Sequence, residues 1–234
     1  MISTRHQNKT KYNVSSNVIK DLNIGVIGAG SFAFEVLNYI SEIFKPIEIK
    51  KIFFFGEVKN INEFKKIYDN CFFIHKIPNY LNRNNTNFIV AHGNENLRSK
   101  YFKKYIKKFT PLKLVHPTAY ISPSAKILDG VIVGPKTILS PGCIIKKNVL
   151  LNSGSQIGHH SVIGESTIVS TGAIINGKVT IGSECFIGSN STVMQNLKIS
   201  NFSKVSANSA LYNDLKSKHI AHGNPAKQQK LNLY

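Results

Sequence analysis

Two residues in the second half of the sequence have types and a spacing that could serve proton transfer. His159 carries an imidazole, which can accept a proton at neutral pH and act as a general base. Gly177 follows 18 residues later, and a glycine lets a reacting group approach the backbone N–H, which can bind a developing oxyanion. The two residues could act together only if the fold brings them close to each other.

A six-residue repeat predicts the element that would do so. From Val115 to Val205 every sixth residue is Val, Ile or Leu, and the residue four places later is mostly small. This repeat is typical of a parallel β-helix, in which each hexad supplies one short strand and a corner, and three hexads complete one coil. Residues 18 apart in the sequence then lie above one another at about 4.8 Å, the spacing of paired strands. The repeat thus places Gly177 over His159.

The first half of the sequence predicts a small α/β domain with a parallel sheet. Residues 23–27 and 47–55 are typical of strands, and residues 34–44 of a helix. Residues 88–91 predict a third strand that leads into a basic helix. A glycine-rich turn, Gly28 to Ala33, joins the first strand to the first helix. Because free N–H groups at a helix N-terminus bind phosphate, this turn predicts a pyrophosphate site.

The same turn satisfies the loose Gly-x-Gly-x-x-Ala pattern of dinucleotide-binding domains. We do not predict a dinucleotide oxidoreductase, because the domain has only about 90 residues, fewer than a full dinucleotide fold needs. The second strand also lacks a clear acidic residue at its end, where Glu57 is the nearest. A turn that requires glycine for packing alone is the alternative interpretation.

The composition indicates a globular protein with a strongly basic surface. The 234 residues include 30 Lys and Arg against 12 Asp and Glu, a formal net charge of +18. This charge favours anionic partners such as coenzyme A and nucleotide-sugars. Nucleic acid would also fit, but no nucleic-acid motif is present and we predict no such partner. The densest basic run, residues 97–109, predicts an amphipathic helix whose lysines face solvent.

Several other classes are disfavoured. No apolar run is as long as a membrane span, and residues 1–22 are polar, which predicts a flexible leader without a signal peptide and a cytoplasmic protein. The three cysteines lack metal-ligand spacing and predict free thiols. A zinc site would need three converging ligands, but of His116, His159 and His160 the last two are adjacent in the sequence. We predict no metal.

A small nucleotide-binding domain followed by a hexapeptide-repeat β-helix resembles the bacterial sugar acetyltransferases of the sialic acid O-acetyltransferase and bacillosamine N-acetyltransferase family. The resemblance covers residues 23–230. The segments that carry it are, in order, Val26 to Ala33, Val90 to Asn94 with Arg98, Val115 to Pro117, Ile121 to Ala125, Leu151 to Ser153, Ile157 to His160, Val162 to Glu165, Asn176 to Val179, and Gly223 to Lys227. The resemblance implies a left-handed β-helix in a cytoplasmic homotrimer that uses acetyl-CoA, with active sites between neighbouring β-helices.

The resemblance also implies roles for individual residues. His159 is the general base that takes a proton from the sugar's amine or hydroxyl as it attacks the thioester, and Asn152 and His160 assist it. The family commonly has an acidic residue where this chain has His160. The resemblance therefore does not identify the group that orients the base, and Glu165 is one candidate. A solvated corner histidine and a turn-capping asparagine are the alternatives for His159 and Asn152.

Two further sets of residues follow from the same resemblance. The residues implied to bind the acetyl-CoA are Gly177, Ser189 and Lys227. The residues implied to bind the acceptor are Gly28, Gly30, Ser31, Phe32, Gly56, Glu57, Gly93 and Asn94. The implied domains are a leader over 1–22, a Rossmann-like nucleotide-sugar-binding domain over 23–111, a left-handed β-helix over 112–211 and a CoA-proximal tail over 212–234.

We therefore predict an acetyl-CoA-dependent N-acetyltransferase that acts on a nucleotide-linked amino sugar in the synthesis of bacterial surface glycans such as lipopolysaccharide. One alternative is an O-acetyltransferase that acts on sialic acid or another sugar hydroxyl. An alternative of a different class is a non-catalytic scaffold that binds polyanions through its basic surface.

Overall fold

The computed structural model describes residues 22–28, 30–55, 61–74 and 76–231. The first strand begins at Leu22, so the predicted leader, apart from that residue, lies outside the described ranges. Gly56 and Glu57 lie outside them as well. No helix in these ranges combines the length and the apolar character that crossing a membrane requires.

The N-terminal sheet is parallel, with the strand order β3-β2-β1-β4-β5. Its strands are β1 (Leu22–Ile27), β2 (Ile49–Phe55), β3 (Cys71–Ile74), β4 (Thr86–Val90) and β5 (Thr110–Pro111). The helices are α1 (Ser31–Ile43), α2 (Ile61–Ile67) and α3 (Glu95–Tyr105), with a 3-10 turn at Pro46–Glu48. The sequence predicted β1, α1, β2, β4 and α3. It did not predict α2 and β3, which are seven and four residues long and too short for a clear periodic pattern.

The order of the strands creates a crevice at the carboxyl ends of β1 and β4. The chain reverses its direction of winding between these two strands, and ligands of open α/β sheets bind at such a point. Gly28 ends β1 with a φ of 121°, and an added β-carbon there would collide with the carbonyl oxygen of Ala91. Only glycine fits this position, because both the backbone angle and the neighbouring strand exclude a side chain.

The β-helix consists of two-residue strands that recur every six residues and form three parallel sheets, called here the first, second and third faces. The first face contains β7 (Tyr120–Ile121), β10 (Ile138–Leu139), β13 (Gln156–Ile157), β16 (Ile174–Ile175), β19 (Thr192–Val193) and β22 (Ala210–Leu211). The second face contains β8 (Lys126–Ile127), β11 (Ile144–Ile145), β14 (Val162–Ile163), β17 (Thr180–Ile181) and β20 (Lys198–Ile199).

The third face is longer because a terminal hairpin extends it. It contains β6 (Leu114–Val115), β9 (Ile132–Val133), β12 (Leu150–Leu151), β15 (Ile168–Val169), β18 (Phe186–Ile187), β21 (Lys204–Val205), β23 (His219–His222) and β24 (Lys227–Lys230). β23 pairs in parallel with β21, and β24 pairs antiparallel with β23.

The register of the faces confirms the predicted β-helix. Gln156 pairs with Ile138 of the preceding coil and with Ile174 of the following one, so partners are 18 residues apart. The second residue of each strand points inward and packs into one continuous apolar core. Cys143 and Cys185 occupy small inward positions of that core, where burial raises the pKa of each thiol to about 11. All three cysteines are unpaired, as predicted.

The N-terminal domain covers the third face. The outward side chains of that face, among them Leu114, Ile132, Leu150 and Ile168, are buried in one core with the apolar side of α1. This burial explains why the third face alone has apolar residues at almost every outward position, since an exposed row of this size would favour association.

Polar contacts fix the domain at the two corners that border the third face. At one corner His116 Nε2 lies 2.7 Å from Glu42 Oε2 of α1. At the other, Ser99 Oγ of α3 donates to Glu184 Oε1 over 2.8 Å. The third corner of the prism, between the first and second faces, therefore lies on the side opposite the N-terminal domain.

Candidate active site

His159 lies at this opposite corner, directly after β13, and is exposed. The N–H of Lys178 donates to the carbonyl oxygen of His159 over 2.8 Å and thereby aligns two successive coils. The imidazole lies against Gly177, where an added β-carbon would be 2.5 Å from His159 Nε2. The fold thus brings the predicted pair together, and only glycine at position 177 leaves room for this ring.

His160 contacts the other side of the same imidazole. The two Nδ1 atoms are 3.1 Å apart, so one ring must carry a proton there and donate to the other. If His159 is the donor, its Nε2 is unprotonated and can accept a proton. His160 has a φ of 57°, and its ring turns back to the preceding coil, where an added β-carbon on Gly142 would be 2.9 Å from it. In the described ranges no carboxylate contacts His159, and Glu165 lies beyond β14 at the next corner.

A cavity of about 460 Å³ opens beside His159 on the first face. Apolar strand residues form its floor, and three amide side chains, those of Gln156, Asn176 and Gln195, stand at its edge. The amide of Asn176 donates to the carbonyl oxygen of Val193 over 3.0 Å. These amides were not among the predicted site residues, although Gln195 is 18 residues after Gly177 and the repeat places it above that glycine.

The structure does not bring the other implied catalytic and cofactor residues to His159 within one chain. Asn152 follows β12 and Ser189 follows β18, so both lie at the corner between the third and first faces. The carbonyl oxygen of Asn152 accepts from Thr137 Oγ1 over 3.2 Å. Lys227 is exposed in the terminal hairpin, where it pairs with His222.

A second cavity, of about 910 Å³, occupies the crevice of the N-terminal sheet. It is called here the acceptor cavity after the residues that the sequence predicted to bind the acceptor. Five of the implied acceptor residues line it: Gly28, Gly30, Ser31, Phe32 and Gly93. Asn94 has a different role, since its side-chain oxygen accepts from the N–H of Leu97 over 2.9 Å and caps α3.

The acceptor cavity is cationic. Lys76, Lys104 and Lys108 line it together with Tyr101 and Tyr105, and no acidic residue is among its described lining. Lys104 and Lys108 are exposed, as expected for the lysines of this basic run, and they also line the cavity. Positions 101, 104, 105 and 108 follow helical spacing, so a face that combines tyrosine with lysine was already visible in the sequence.

No cluster of His, Cys, Asp or Glu that could hold a metal ion occurs in the part of the chain that the structure describes. His116 is far in sequence from the histidine pair and is buried against Glu42 at another corner.

Comparisons with known proteins show which solved structures have a similar fold. Residues 109–221 match the family model of the GMPPB C-terminal domain. No significant match was found among curated protein sequences. One similar solved structure is the acetyltransferase domain of PglB from Neisseria gonorrhoeae in complex with acetyl coenzyme A, with 23% identity over 89% of this chain and 100% of that one and a TM-score of 0.76.

Two further structures come from Caulobacter crescentus. PerB in complex with CoA and GDP-perosamine has 21% identity over 88% of this chain and 97% of that one, with a TM-score of 0.72. A variant of the GDP-perosamine N-acetyl transferase with the same two ligands has 20% identity over 88% and 96%, also with a TM-score of 0.72. Along nearly its whole length, the chain has the fold of these hexapeptide-repeat sugar acetyltransferases, an α/β domain followed by a left-handed β-helix.

Proposed function

We propose that the chain is an acetyl-CoA-dependent N-acetyltransferase that acts on the amino group of a nucleotide-linked sugar. The observation that carries this proposal is the imidazole of His159, which lies against Gly177 at the edge of an open cavity. Among the described residues none accepts a hydrogen bond from the N–H of Gly177, so this group is available to a ligand. A base and an oxyanion donor thus stand side by side.

In the proposed reaction the sugar amine attacks the carbonyl carbon of the thioester. His159 Nε2 takes the proton of the amine while the new C–N bond forms. The carbonyl oxygen becomes negatively charged and is stabilised by the N–H of Gly177. When this intermediate collapses, the C–S bond breaks, and protonated His159 can return its proton to the departing thiolate of CoA.

The assignment of acetyl-CoA and a nucleotide-sugar as co-substrates rests on the chemistry of the cavities and on the ligands of similar structures. The similar PglB domain binds acetyl coenzyme A, and the similar Caulobacter enzyme binds CoA and GDP-perosamine. In this chain the acceptor cavity combines a glycine turn at the start of α1 with three lysines, a suitable site for a diphosphate. We assign Gly177, Ser189 and Lys227 to the acetyl-CoA. We place the reaction in the cytoplasmic synthesis of bacterial surface glycans.

The position of the two cavities supports an active site shared between chains. The acceptor cavity belongs to the domain that covers the third face, whereas His159 stands at the opposite corner. A sugar held in the cavity would therefore meet the His159 of a neighbouring copy. Exposed Tyr120, Ile138 and Ile174 give the first face an apolar surface suited to such a neighbour. We propose a homotrimer, in which Asn152 also acts across the interface.

Release of CoA thiol from acetyl-CoA tests this function. The full-length protein is assayed with a panel of UDP- and GDP-linked amino sugars and with free sialic acids. We expect release with at least one nucleotide-linked amino sugar and N-acetylation of its amine. If CoA thiol is released with sialic acid alone, the protein is an O-acetyltransferase and the proposed N-acetylation is wrong. A protein that releases no thiol with any acceptor, yet binds the anionic sugars, would be a scaffold.

The lysines of the acceptor cavity provide a separate prediction. In the Lys104→Glu/Lys108→Glu protein we expect the KM for the nucleotide-sugar to rise by about 10-fold or more, since a hydrogen bond to a charged group contributes about 1.5–3 kcal/mol. kcat should change little. The matched control, Lys100→Glu/Lys107→Glu, changes the net charge equally at exposed positions outside the cavity lining. An equal rise in KM in both proteins would show that net charge alone, rather than the cavity, attracts the acceptor.

A further inference from the structure

His92 stands in the acceptor cavity and was not identified from the sequence. It follows β4 and lines the cavity between Ala91 and Gly93. β4 pairs with β1 up to Val90 and Ile27, so the next residues of β4 run beside the glycine turn at the start of α1. The side chain is half-buried, and Tyr101 of α3 packs near its ring, with the ring centres 6.1 Å apart.

The local backbone selects one tautomer of this histidine. The N–H of Asn94 donates to His92 Nδ1 over 3.1 Å. Because a backbone N–H can only donate, Nδ1 carries no proton, and the proton of the neutral ring is on Nε2. Burial, together with the nearby charge of Arg98, lowers the pKa of His92, so the ring is neutral at neutral pH. In the described structure no protein group bonds to Nε2.

Arg98 holds the backbone on both sides of this position. Its guanidinium is fully buried and donates to the carbonyl oxygens of Val90 over 2.6 Å and of His92 over 3.3 Å. It also donates to the carbonyl oxygen of Asn148 in the β-helix over 3.0 Å. Burial lowers the pKa of Arg98 to about 9, which leaves it charged at neutral pH. The main chain that carries His92 is therefore tied firmly to the β-helix.

We propose that His92 favours acceptors that carry a nucleoside diphosphate group, because it donates its Nε2–H to a phosphate oxygen of that group. This inference rests on the proposed function, which places the acceptor in this cavity. The cationic lining favours a phosphate partner, because Lys76, Lys104 and Lys108 attract anions and no carboxylate opposes them in the described lining. The fixed tautomer supplies a donor that is ready before the ligand binds, which avoids the cost of ordering it.

Calorimetric titration of the full-length protein tests the hydrogen bond. The probes are UDP, GDP, inorganic pyrophosphate and, without phosphate, uridine and guanosine. We expect His92→Phe to weaken binding of UDP, GDP and pyrophosphate by about 10-fold, the loss of one hydrogen bond to a charged group. His92→Gln keeps an N–H donor and should stay within about threefold of the wild type. The far-UV circular dichroism spectrum of His92→Phe should match that of the wild type, which a general loss of structure would not allow.

Different binding results would contradict the role of His92 and the location of the acceptor site. If His92→Phe binds the diphosphates as tightly as the wild type, or if His92→Gln loses as much affinity as His92→Phe, the inference is wrong and the proposed function stands. If His92→Phe weakens uridine or guanosine but not pyrophosphate, His92 contacts the nucleoside and the phosphate assignment is wrong. A wild type that binds none of the diphosphates overturns both the inference and the acceptor site. His219→Phe, at a half-buried position of the terminal hairpin outside the cavity lining, is the matched histidine control.

Discussion

Replacing His159 by alanine is expected to lower kcat by about 10³-fold, within the range by which a positioned general base accelerates proton transfer. The KM values for acetyl-CoA and for the nucleotide-sugar should remain close to those of the wild type, since the exposed ring is not needed for the fold and His159 is not part of the acceptor cavity's lining. Steady-state release of CoA thiol, with each co-substrate varied in turn, measures both effects.

Substitutions at Gly177 and His160 keep the His159 imidazole but change the residues that hold it in position. Gly177→Ala retains the imidazole but puts a β-carbon 2.5 Å from Nε2 in the present geometry, so the ring must move and kcat should fall by about 100-fold or more. His160→Ala removes the contact between the two Nδ1 atoms and the packing of the His160 ring on Gly142, and we expect a loss of about 10-fold. If His160→Ala abolished turnover while His159→Ala did not, the base would be His160 instead.

Mixing two impaired proteins is expected to raise turnover above that of either protein alone. One chain carries His159→Ala with an intact acceptor cavity, and the other carries Lys104→Glu/Lys108→Glu with an intact His159. After co-expression or reassembly, random association in a symmetric oligomer pairs an intact cavity with an intact histidine at roughly a quarter of the interfaces. At acceptor concentrations well below the wild-type KM, the mixture should therefore show about a quarter of wild-type activity. The lysine variant alone should show about a tenth or less, since its KM is raised about 10-fold or more, and His159→Ala about a thousandth.

The control for this experiment places all three substitutions in one chain and mixes it with His159→Ala, a combination in which no intact His159 exists. That mixture should stay as inactive as its parents. If the first mixture shows no more than the sum of its parents although the chains have exchanged, the acceptor and His159 of the same chain react together, and the shared site is wrong. A monomer in light scattering would lead to the same conclusion, since we expect a trimer.

The sequence alone determined the β-helix and the pairing of His159 with Gly177. Both follow from a period, because one aliphatic side chain in six must point inward and an 18-residue coil then stacks equivalent positions. It also predicted β1, β4, α1 and the glycine turn, whose apolar runs and glycines are strong local signals. It left out α2 and β3, since short segments are stabilised by neighbours remote in sequence rather than by a pattern of their own.

Only the tertiary structure decided which face the N-terminal domain covers and what surrounds the acceptor cavity. Arg98 contacts Asn148, which is 50 residues away in the sequence, and Ser99 contacts Glu184, which is 85 residues away. No repeat in the sequence predicts either contact. For the same reason, the position of Lys104 in the cavity appears only when α3 is docked beside β4. The separation of the acceptor cavity from His159 is likewise a property of the packed domains, because their relative position depends on side chains that meet only in the folded chain.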